Sequence, residues 1–117
     1  MRNFGGSEPI DENPLSDLTA FQRDLLFTVE HLEKNGTDRE LAEAFEYDAP
    51  SGTCVKTRIE GTLNKEINHG RLYPNLDNLV NKGLVVKGSL DRRTNSYTLT
   101  KRGKNALEEY RQFVGGE

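Results

Sequence analysis

The stretch at residues 68–83, NHGRLYPNLDNLVNKG, is the part of the sequence that most limits the possible folds. Its apolar residues recur at helical spacing and form one stripe, made of Leu72, Leu76, Leu79 and Val80. Lys82 followed by Gly83 is a typical helix end, a cation in the last turn and then a glycine. The start and the other face are polar: Asn68, His69, Arg71, Tyr73, Asn75 and Asn78. The pattern predicts a short helix whose leading end carries the donors, the cation and the ring needed to read nucleic acid.

A second short helix is predicted just before it, from about Thr53 to Asn64. Val55, Ile59 and Leu63 form its apolar face. Two short helices joined by a tight turn, the second with a polar leading end, indicate a helix-turn-helix.

After Gly83 the hydrophobic period changes from helical to alternating. Residues 84–88 and 96–100 read as two antiparallel strands, because β-branched and aromatic residues dominate them. The connection, residues 89–95, is rich in charge and includes Arg92 and Arg93. A hairpin with a charged tip beside a helix-turn-helix is a wing.

Three more helices complete the prediction. The first runs from about Thr19 to Lys34, a short acidic one from Thr37 to about Tyr47, and the last begins at Thr100, whose hydroxyl can cap it. The first and last helices carry more apolar surface than one small domain needs, and they are the candidate dimer seam. The residues predicted for that seam are Leu18, Phe21, Leu25, Ala106, Leu107, Tyr110, Phe113 and Val114.

The expected architecture is mainly α with a small antiparallel β-hairpin (α+β), a winged helix-turn-helix with a C-terminal dimerisation helix. Residues 1–17 read as a flexible arm, because Gly, Pro and acidic residues dominate them. Residues 18–100 form the DNA-binding domain, with an acidic insertion at 37–50, and residues 101–117 form the dimerisation helix and tail.

Charge is distributed unevenly along the chain. The net charge is −3, but residues 1–50 carry −8 and residues 51–117 carry +5. A basic face on an acidic body is compatible with a nucleic-acid partner. The chain shows no membrane span, signal peptide or lipidation motif, so a cytoplasmic protein is expected.

Duplex recognition divides the polar residues into two roles. Base edges are the targets of the leading turn, where arginine can fork onto guanine and asparagine can pair with adenine. The wing tip can enter a minor groove or bind phosphates, and further cations can bind the backbone. The candidates are Asn68, His69, Arg71, Tyr73 and Asn75 in the reading helix; Arg92, Arg93, Thr94 and Asn95 in the wing; and Lys56, Thr57, Arg58 and Lys87 for the backbone. Tyr73 is open between a phosphate contact and a core ring.

Three runs carry a family resemblance: GRLYPNLDNL at 70–79, KGLV at 82–85 and RRTNSYTLTKRG at 92–103. They closely resemble PadR-like transcriptional regulators. Their sequences are most similar to the haloarchaeal branch of that family, which includes an oxidative-stress regulator. The resemblance covers about residues 15–112. It implies a homodimer that binds double-stranded promoter DNA, pairs through its first and last helices, and responds to stress or salt. Residues 37–50 resemble an insertion relative to family members that have a direct connection at this point.

A halophilic setting raises a further hypothesis about partners. Because salt weakens cation–phosphate contacts, inorganic cations held by carboxylates could mediate DNA contacts there. The candidate carboxylates are Glu46, Asp48, Glu60 and Glu66.

Other functions have weaker support in the sequence. The two histidines and Cys54 are scattered, and no nucleophile motif, phosphate loop or ligand spacing occurs, so no enzyme, cofactor or metal site is expected. Cys54 reads as a small core residue, with a redox switch as the alternative. The main rival is a winged-helix protein-interaction module without DNA specificity.

Overall fold

The computed structural model describes residues 13–35 and 50–115. Over these residues the chain forms a short 3-10 helix and then four α-helices and two strands. Their bounds are Pro14–Asp17 for the 3-10 helix, α1 Ala20–Asn35, α2 Gly52–Leu63, α3 His69–Asn81, β1 Val85–Ser89, β2 Asn95–Leu99 and α4 Lys101–Gly115. The α+β winged helix-turn-helix predicted from the sequence is confirmed. The acidic helix predicted at 37–47 lies outside the described residues.

Local side-chain hydrogen bonds fix where three helices begin. Thr19 and Gln22 form a reciprocal box at α1, in which each side chain accepts from the other residue's backbone N–H at 3.1 Å. Asn68 Oδ1 accepts from the Arg71 N–H at 2.9 Å and caps α3. Thr100 Oγ1 accepts from the Gly103 N–H at 2.9 Å and caps α4. These contacts arise within three residues of sequence, which is why the starts could be predicted.

Gly83 ends α3 in the left-handed region, with φ of 76°. Its N–H bonds to the Val80 carbonyl at 2.9 Å, and the Leu84 N–H bonds to the Leu79 carbonyl at 3.0 Å. This pair of bonds satisfies two of the free carbonyls at the helix end. A residue with a Cβ would be strained there, so the glycine stop predicted from the sequence is confirmed.

The hairpin pairs in antiparallel register from Val85 opposite Leu99 to Ser89 opposite Asn95. A short bridge between Ser51 and Ser96 adds the residue before α2 to the open edge of β2. Next to this bridge the Tyr97 N–H donates to the Pro50 carbonyl at 2.9 Å. These bonds fix the wing against the start of α2.

One hydrophobic core joins all the described elements. Most of the apolar faces predicted for α2 and α3 is buried in it, and their members Leu63 and Val80 are partly buried against it. Tyr97 enters the core from β2 with 1% of its surface exposed. Each fully buried aliphatic side chain in such a core contributes about 1.5–3 kcal/mol by leaving water.

The predicted boundary of the N-terminal arm at residue 17 is wrong. Residues 14–17 form the 3-10 helix, and Leu15 is fully buried. Asn13 caps this helix through the Leu15 N–H and also donates from Nδ2 to the Ala106 carbonyl of α4 at 2.9 Å. The segment therefore covers α4, a contact between residues 93 positions apart that local patterns do not reveal.

Most of the predicted dimer seam is core in the structure. Five of its residues are at most 7% exposed within the single chain, because they belong to its hydrophobic core: Leu18, Phe21, Leu25, Ala106 and Leu107. Tyr110 is half-buried with its ring 6.3 Å from that of Phe27. Only Phe113 and Val114 of the predicted seam remain exposed, at 83% and 62%.

In the described part of the chain, no helix is long and apolar enough to cross a bilayer.

Candidate nucleic-acid interface

Helix α3 buries one face and presents the opposite face to solvent. Leu72, Leu76 and Leu79 are fully buried. The residues opposite them on the helix are Gly70, Pro74, Asp77, Asn78 and Asn81, all exposed. A helix that enters a groove does so with this outward face.

The residues at the leading end of α3 lie on both flanks of that face. Asn68 and His69 are exposed. The His69 ring meets the Tyr73 ring edge to face, with centroids 5.5 Å apart. Tyr73 is half-buried and packs on the start of α2, where a Cβ on Gly52 would lie 2.8 Å from the tyrosine hydroxyl oxygen. Its ring is therefore part of the packing between α2 and α3, while its hydroxyl end lines a surface cleft.

Arg71 and Asn75 lie on the other flank, against α1. The Arg71 guanidinium carbon is 3.9 Å from the centre of the Phe21 ring. Asn75 Oδ1 accepts from Gln22 Nε2 at 2.9 Å, and Asn75 Nδ2 donates to the Arg71 carbonyl at 2.7 Å. Both ends of the Asn75 amide are thus engaged within the protein. The bidentate pair between Asn75 and adenine that the sequence predicts would have to form beside these two bonds or in place of them.

The wing tip is ordered by a single carboxylate. Asp91 Oδ1 accepts from the backbone N–H groups of Arg93 and Thr94, both at 2.9 Å. The Leu90 N–H also bonds to the Thr94 carbonyl at 2.8 Å across the base of the loop. The side chains of Arg92 and Arg93 are exposed at this tip. Both cations are therefore held on a structured turn.

A cleft of about 200 Å³ brings the wing, α2 and α3 together. Side chains from all three elements line it, and most are polar: Thr53, Tyr73, Arg93, Thr94, Asn95 and Tyr97, with the Gly52 backbone. Tyr97 is the buried member. Burial raises the pKa of its hydroxyl, and the negative charge of Asp77 raises that pKa further. Four residues predicted separately from the helix and the wing are thus adjacent in the fold.

Glu60 fixes the turn between α2 and α3. Its Oε2 accepts from the Ile67 N–H at 2.9 Å and from Lys56 Nζ at 2.8 Å. The Ile67 backbone bond, and then the Lys56 bond, lower the pKa of the Glu60 carboxyl below its usual value. Lys56 therefore forms an intramolecular ion pair with Glu60 and is not available as an unpaired cation for a phosphate group.

The four carboxylates predicted to hold cations have different positions. Glu60 is committed to the turn, and Glu46 and Asp48 lie outside the described residues. Glu66 is exposed and lines a cleft of about 380 Å³ with Asn68 and His69. Among the described residues, the cation hypothesis now depends on Glu66.

Other predicted backbone contacts are not gathered at this surface. Arg58 lines a groove with residues of α1, among them Asp24 and Lys34. Thr57 is exposed on α2. Lys87 of β1 lies 3.4 Å from the Asp77 carboxylate of α3, so it pairs with the reading helix itself.

Asp77 and Asn81 are the outward residues that the sequence reasoning missed. Residue type does not indicate Asp77, because an acidic residue does not fit a DNA-binding surface, and Asn81 lies in the last turn, away from the leading end that carries the predicted candidates. Angular position would have found both, because they lie opposite the buried leucine stripe on a helix of 3.6 residues per turn.

Cys54 of α2 is buried in the core, with 4% of its surface exposed. This position fits the prediction of a small core residue and gives no support to a redox switch, which needs access to an oxidant. Within residues 13–35 and 50–115, no three His, Cys, Asp or Glu side chains are close enough to hold a metal ion.

Comparison with known proteins decides the family. Residues 47–109 match the model of the transcriptional regulator PadR-like family, which is more than half of the chain. The chain belongs to the PadR-like family of transcriptional regulators.

Solved structures of RosR from H. salinarum are similar over most of the chain. One grown from NaBr is 40% identical, with a TM-score of 0.69 over 86% of this chain and 76% of RosR. RosR in the complex called hsRosR-SG is 39% identical, with a TM-score of 0.70 over 87% and 77%. The complex called hsRosR-S1 gives 40%, 0.69, 85% and 74%. No curated protein sequence matches the chain. The PadR-like character predicted from the three sequence runs is confirmed, and the family is one of transcriptional regulators.

Proposed function

We propose that this PadR-like regulator binds promoter DNA as a homodimer, with α3 of each copy in a major groove and the wing on the backbone or in a minor groove. The likeness of its motifs to the haloarchaeal branch supports a response to stress or salt. The observation that carries the proposal is the cleft shared by α3 and the wing, in which Tyr73 lies beside Arg93, Thr94 and Asn95. One ligand can touch both elements at once, as a duplex does when it spans a helix and a wing.

Within α3, the outward face supplies the base-edge contacts in this proposal. Arg71 presents N–H donors suited to guanine O6 and N7, and Asn78 presents an amide suited to adenine. Asp77 can accept from the amino group of cytosine, and Lys87 partly neutralises it beforehand at 3.4 Å. Specificity then resides in Arg71, Asp77 and Asn78, with Asn68 and His69 at the entrance.

The wing supplies affinity that does not depend on sequence. Arg92 and Arg93 are exposed on a turn ordered by Asp91, so little backbone conformational entropy is lost when their side chains bind phosphates. Phosphate contacts of this kind release counterions from the DNA. A variant that lacks these contacts should therefore bind with a weaker dependence on salt.

The homodimer is proposed to form at the end of α4. Phe113 and Val114 are the most exposed large apolar residues of the described chain, on a helix whose other apolar residues are buried. We expect the wild-type chain of 13.2 kDa to sediment at twice that mass. Phe113→Asp should give the monomer mass, because an uncompensated carboxylate is costly in an apolar contact.

Gln112→Asp is the control for that variant, since it adds the same charge at an adjacent exposed polar position. A Phe113→Asp protein that remains dimeric in equilibrium sedimentation, or a Gln112→Asp protein that dissociates equally, would count against this interface.

The rival function is a winged-helix adaptor that binds protein. Family membership favours DNA as the partner. So does the position of two exposed arginines, Arg92 and Arg93, on a wing tip that hydrogen bonds keep ordered. A gel-shift assay with the duplex upstream of the protein's own coding sequence tests this directly. We expect a shifted band that survives excess random competitor duplex. A shift that random competitor removes completely would leave the adaptor as the better explanation.

A further inference from the structure

Two adjacent residues of α1 contact the flank of the reading helix. Phe21 places its ring under the Arg71 guanidinium at 3.9 Å, and Gln22 donates to Asn75 Oδ1 at 2.9 Å. Arg71 and Asn75 are four residues apart, so they lie one turn apart on the same side of α3. Both side chains were candidates for base contact, and both are held from behind by α1.

The Gln22 contact belongs to a directed chain of hydrogen bonds. Gln22 is 7% exposed, and its Oε1 accepts from the Thr19 N–H at 3.1 Å. Its Nε2 is therefore directed to Asn75 Oδ1, which leaves Asn75 Nδ2 to donate to the Arg71 carbonyl at 2.7 Å. Reversing either amide would set donor against donor and acceptor against acceptor. The chain thus connects the first turn of α1 to the backbone of Arg71.

The Phe21 contact brings the Arg71 guanidinium carbon to 3.9 Å from the ring centre, close enough for the guanidinium to stack on the ring. A guanidinium that lies over a ring uses its face, whereas its N–H donors lie in its plane. Arg71 is exposed, so these donors can reach a guanine edge while the face rests on Phe21. The ring restricts the side chain to fewer rotamers, which reduces the entropy lost on binding.

We propose that Phe21 and Gln22 are positioning residues for sequence reading. Phe21 orients the Arg71 side chain, and Gln22 acts through Asn75 to hold the backbone from which Arg71 projects. Asn75 is an internal link in this arrangement and not a reader of adenine. The inference rests on the proposed function, because it assigns these residues a role in the same DNA contact.

The test selects preferred sequences from a pool of random DNA duplexes and then measures Kd for the best sequence and for a scrambled one. Phe21→Leu keeps apolar burial but removes the ring, and Phe21→Tyr restores a ring. Phe27→Leu is the matched control: it lies on the same helix, and its ring neighbour is Tyr110 of α4 rather than α3. Unfolding free energies of all variants are measured in parallel, so binding is compared only where each protein is folded.

We expect Phe21→Leu to lower the ratio of scrambled to specific Kd by about two- to fivefold, the range of an exposed cation–π contact. Phe27→Leu should lower stability but leave the ratio unchanged, and Phe21→Tyr should restore it. An unchanged ratio in Phe21→Leu, or an equal fall in Phe27→Leu, would overturn the role of Phe21.

Gln22→Glu tests the second contact with little change in shape. The carboxylate can still accept from the Thr19 N–H and complete the cap, but it cannot donate to Asn75. We expect the Kd ratio to fall with little loss of stability, and Asn75→Ala to lower the ratio no further in the Gln22→Glu background. Independent effects of the two changes would overturn the link. If the wild-type protein selects no sequence, the proposed function and this inference both fail; if it selects one and every variant selects it equally well, only the inference fails.

Discussion

At the scale of single residues, two carboxylates fix the loops beside the reading helix. Glu60 binds the Ile67 N–H across the turn between α2 and α3, and Asp91 binds two N–H groups across the wing tip. Neither carboxylate is a candidate for DNA contact. Each one sets the position of residues that are candidates, on α3 or on the wing. Substitution of these two residues should therefore distinguish the effect of loop geometry from the effect of the negative charge.

Asp91→Ala should weaken binding to duplexes of any sequence by about fivefold, the order of the cost of ordering one backbone residue again on binding. Asp91→Asn is the control, because its amide oxygen can still accept from Arg93 and Thr94 while the negative charge is gone. We expect Asp91→Asn to bind DNA as tightly as the wild type or more tightly. Fluorescence anisotropy with a random-sequence duplex measures both, and equal losses in the two variants would show that the turn does not matter.

Glu60 should make stability depend on acid pH. Its pKa lies below the usual 4.5 in the folded chain, because the Ile67 N–H and Lys56 stabilise the carboxylate. A lowered folded-state pKa adds stability that is fully present above 4.5 and is lost as pH falls through the folded pKa. Urea unfolding from pH 7 to pH 3 should therefore show a smaller loss on acidification for Glu60→Gln than for the wild type.

Glu66→Gln is the matched control for this measurement, since Glu66 is an exposed carboxylate on the same turn. It removes a carboxylate from the turn but keeps the bonds of Glu60 to Ile67 and Lys56. A Glu60→Gln profile that equals the wild-type profile would contradict the role given to these two bonds.

At the scale of elements, local chemistry made most of the fold predictable. The caps at Thr19, Asn68 and Thr100 and the stop at Gly83 act within a few residues, so the sequence alone indicates them. Contacts between distant segments were not predictable in this way. The 3-10 helix docks through Asn13 on a carbonyl of α4, and no periodic pattern marks it.

The site was predictable by residue type but not by orientation. Arg92 and Arg93 were found at the wing tip because a charged loop between two strands has few other uses. Asn75 was predicted to contact a base, whereas in the structure its amide bonds within the protein, and only the position of Gln22 reveals this contact. Most of the predicted dimer seam is core in the single chain for a related reason: a broad apolar stripe does not say whether its partner belongs to the same chain.

Packing of α4 against the start of β1 should depend on Gly103. A Cβ there would clash with the Leu84 carbonyl oxygen, a backbone atom that cannot move aside cheaply. We expect Gly103→Ala to lower the free energy of unfolding by about 3 kcal/mol, the upper end for overpacked sites. Chemical denaturation with urea measures the change.

Gly61→Ala provides the contrast, because nothing lies within 4 Å of the position that a Cβ would take at this residue of α2. The same substitution should there stabilise the protein by about 0.5–1 kcal/mol, since alanine favours a helix interior. Equal effects at the two glycines would show that the close approach of α4 to Leu84 is not a constraint.

At the scale of the whole molecule, the proposed function separates the reading of base sequence by α3 from the binding of the DNA backbone by the wing. The core buries one face of α3, α1 supports its flank, and the hairpin presents two arginines beside it. All the residues proposed to contact DNA come from residues 51–117, the half of the sequence with a charge of +5. A regulator built in this way should lose specificity and affinity through different residues.

The measurement that tests this division most directly is selection from a random duplex pool, followed by Kd for specific and scrambled duplexes over a range of salt. Arg71→Ala should weaken the specific duplex by about 1–3 kcal/mol and leave the scrambled duplex nearly unchanged. The double change of Arg92 and Arg93 to Ala should weaken both duplexes alike and reduce the slope of log K against log salt by about 2. If both variants lose specific and scrambled binding in the same proportion, the division between a reading helix and a holding wing is wrong.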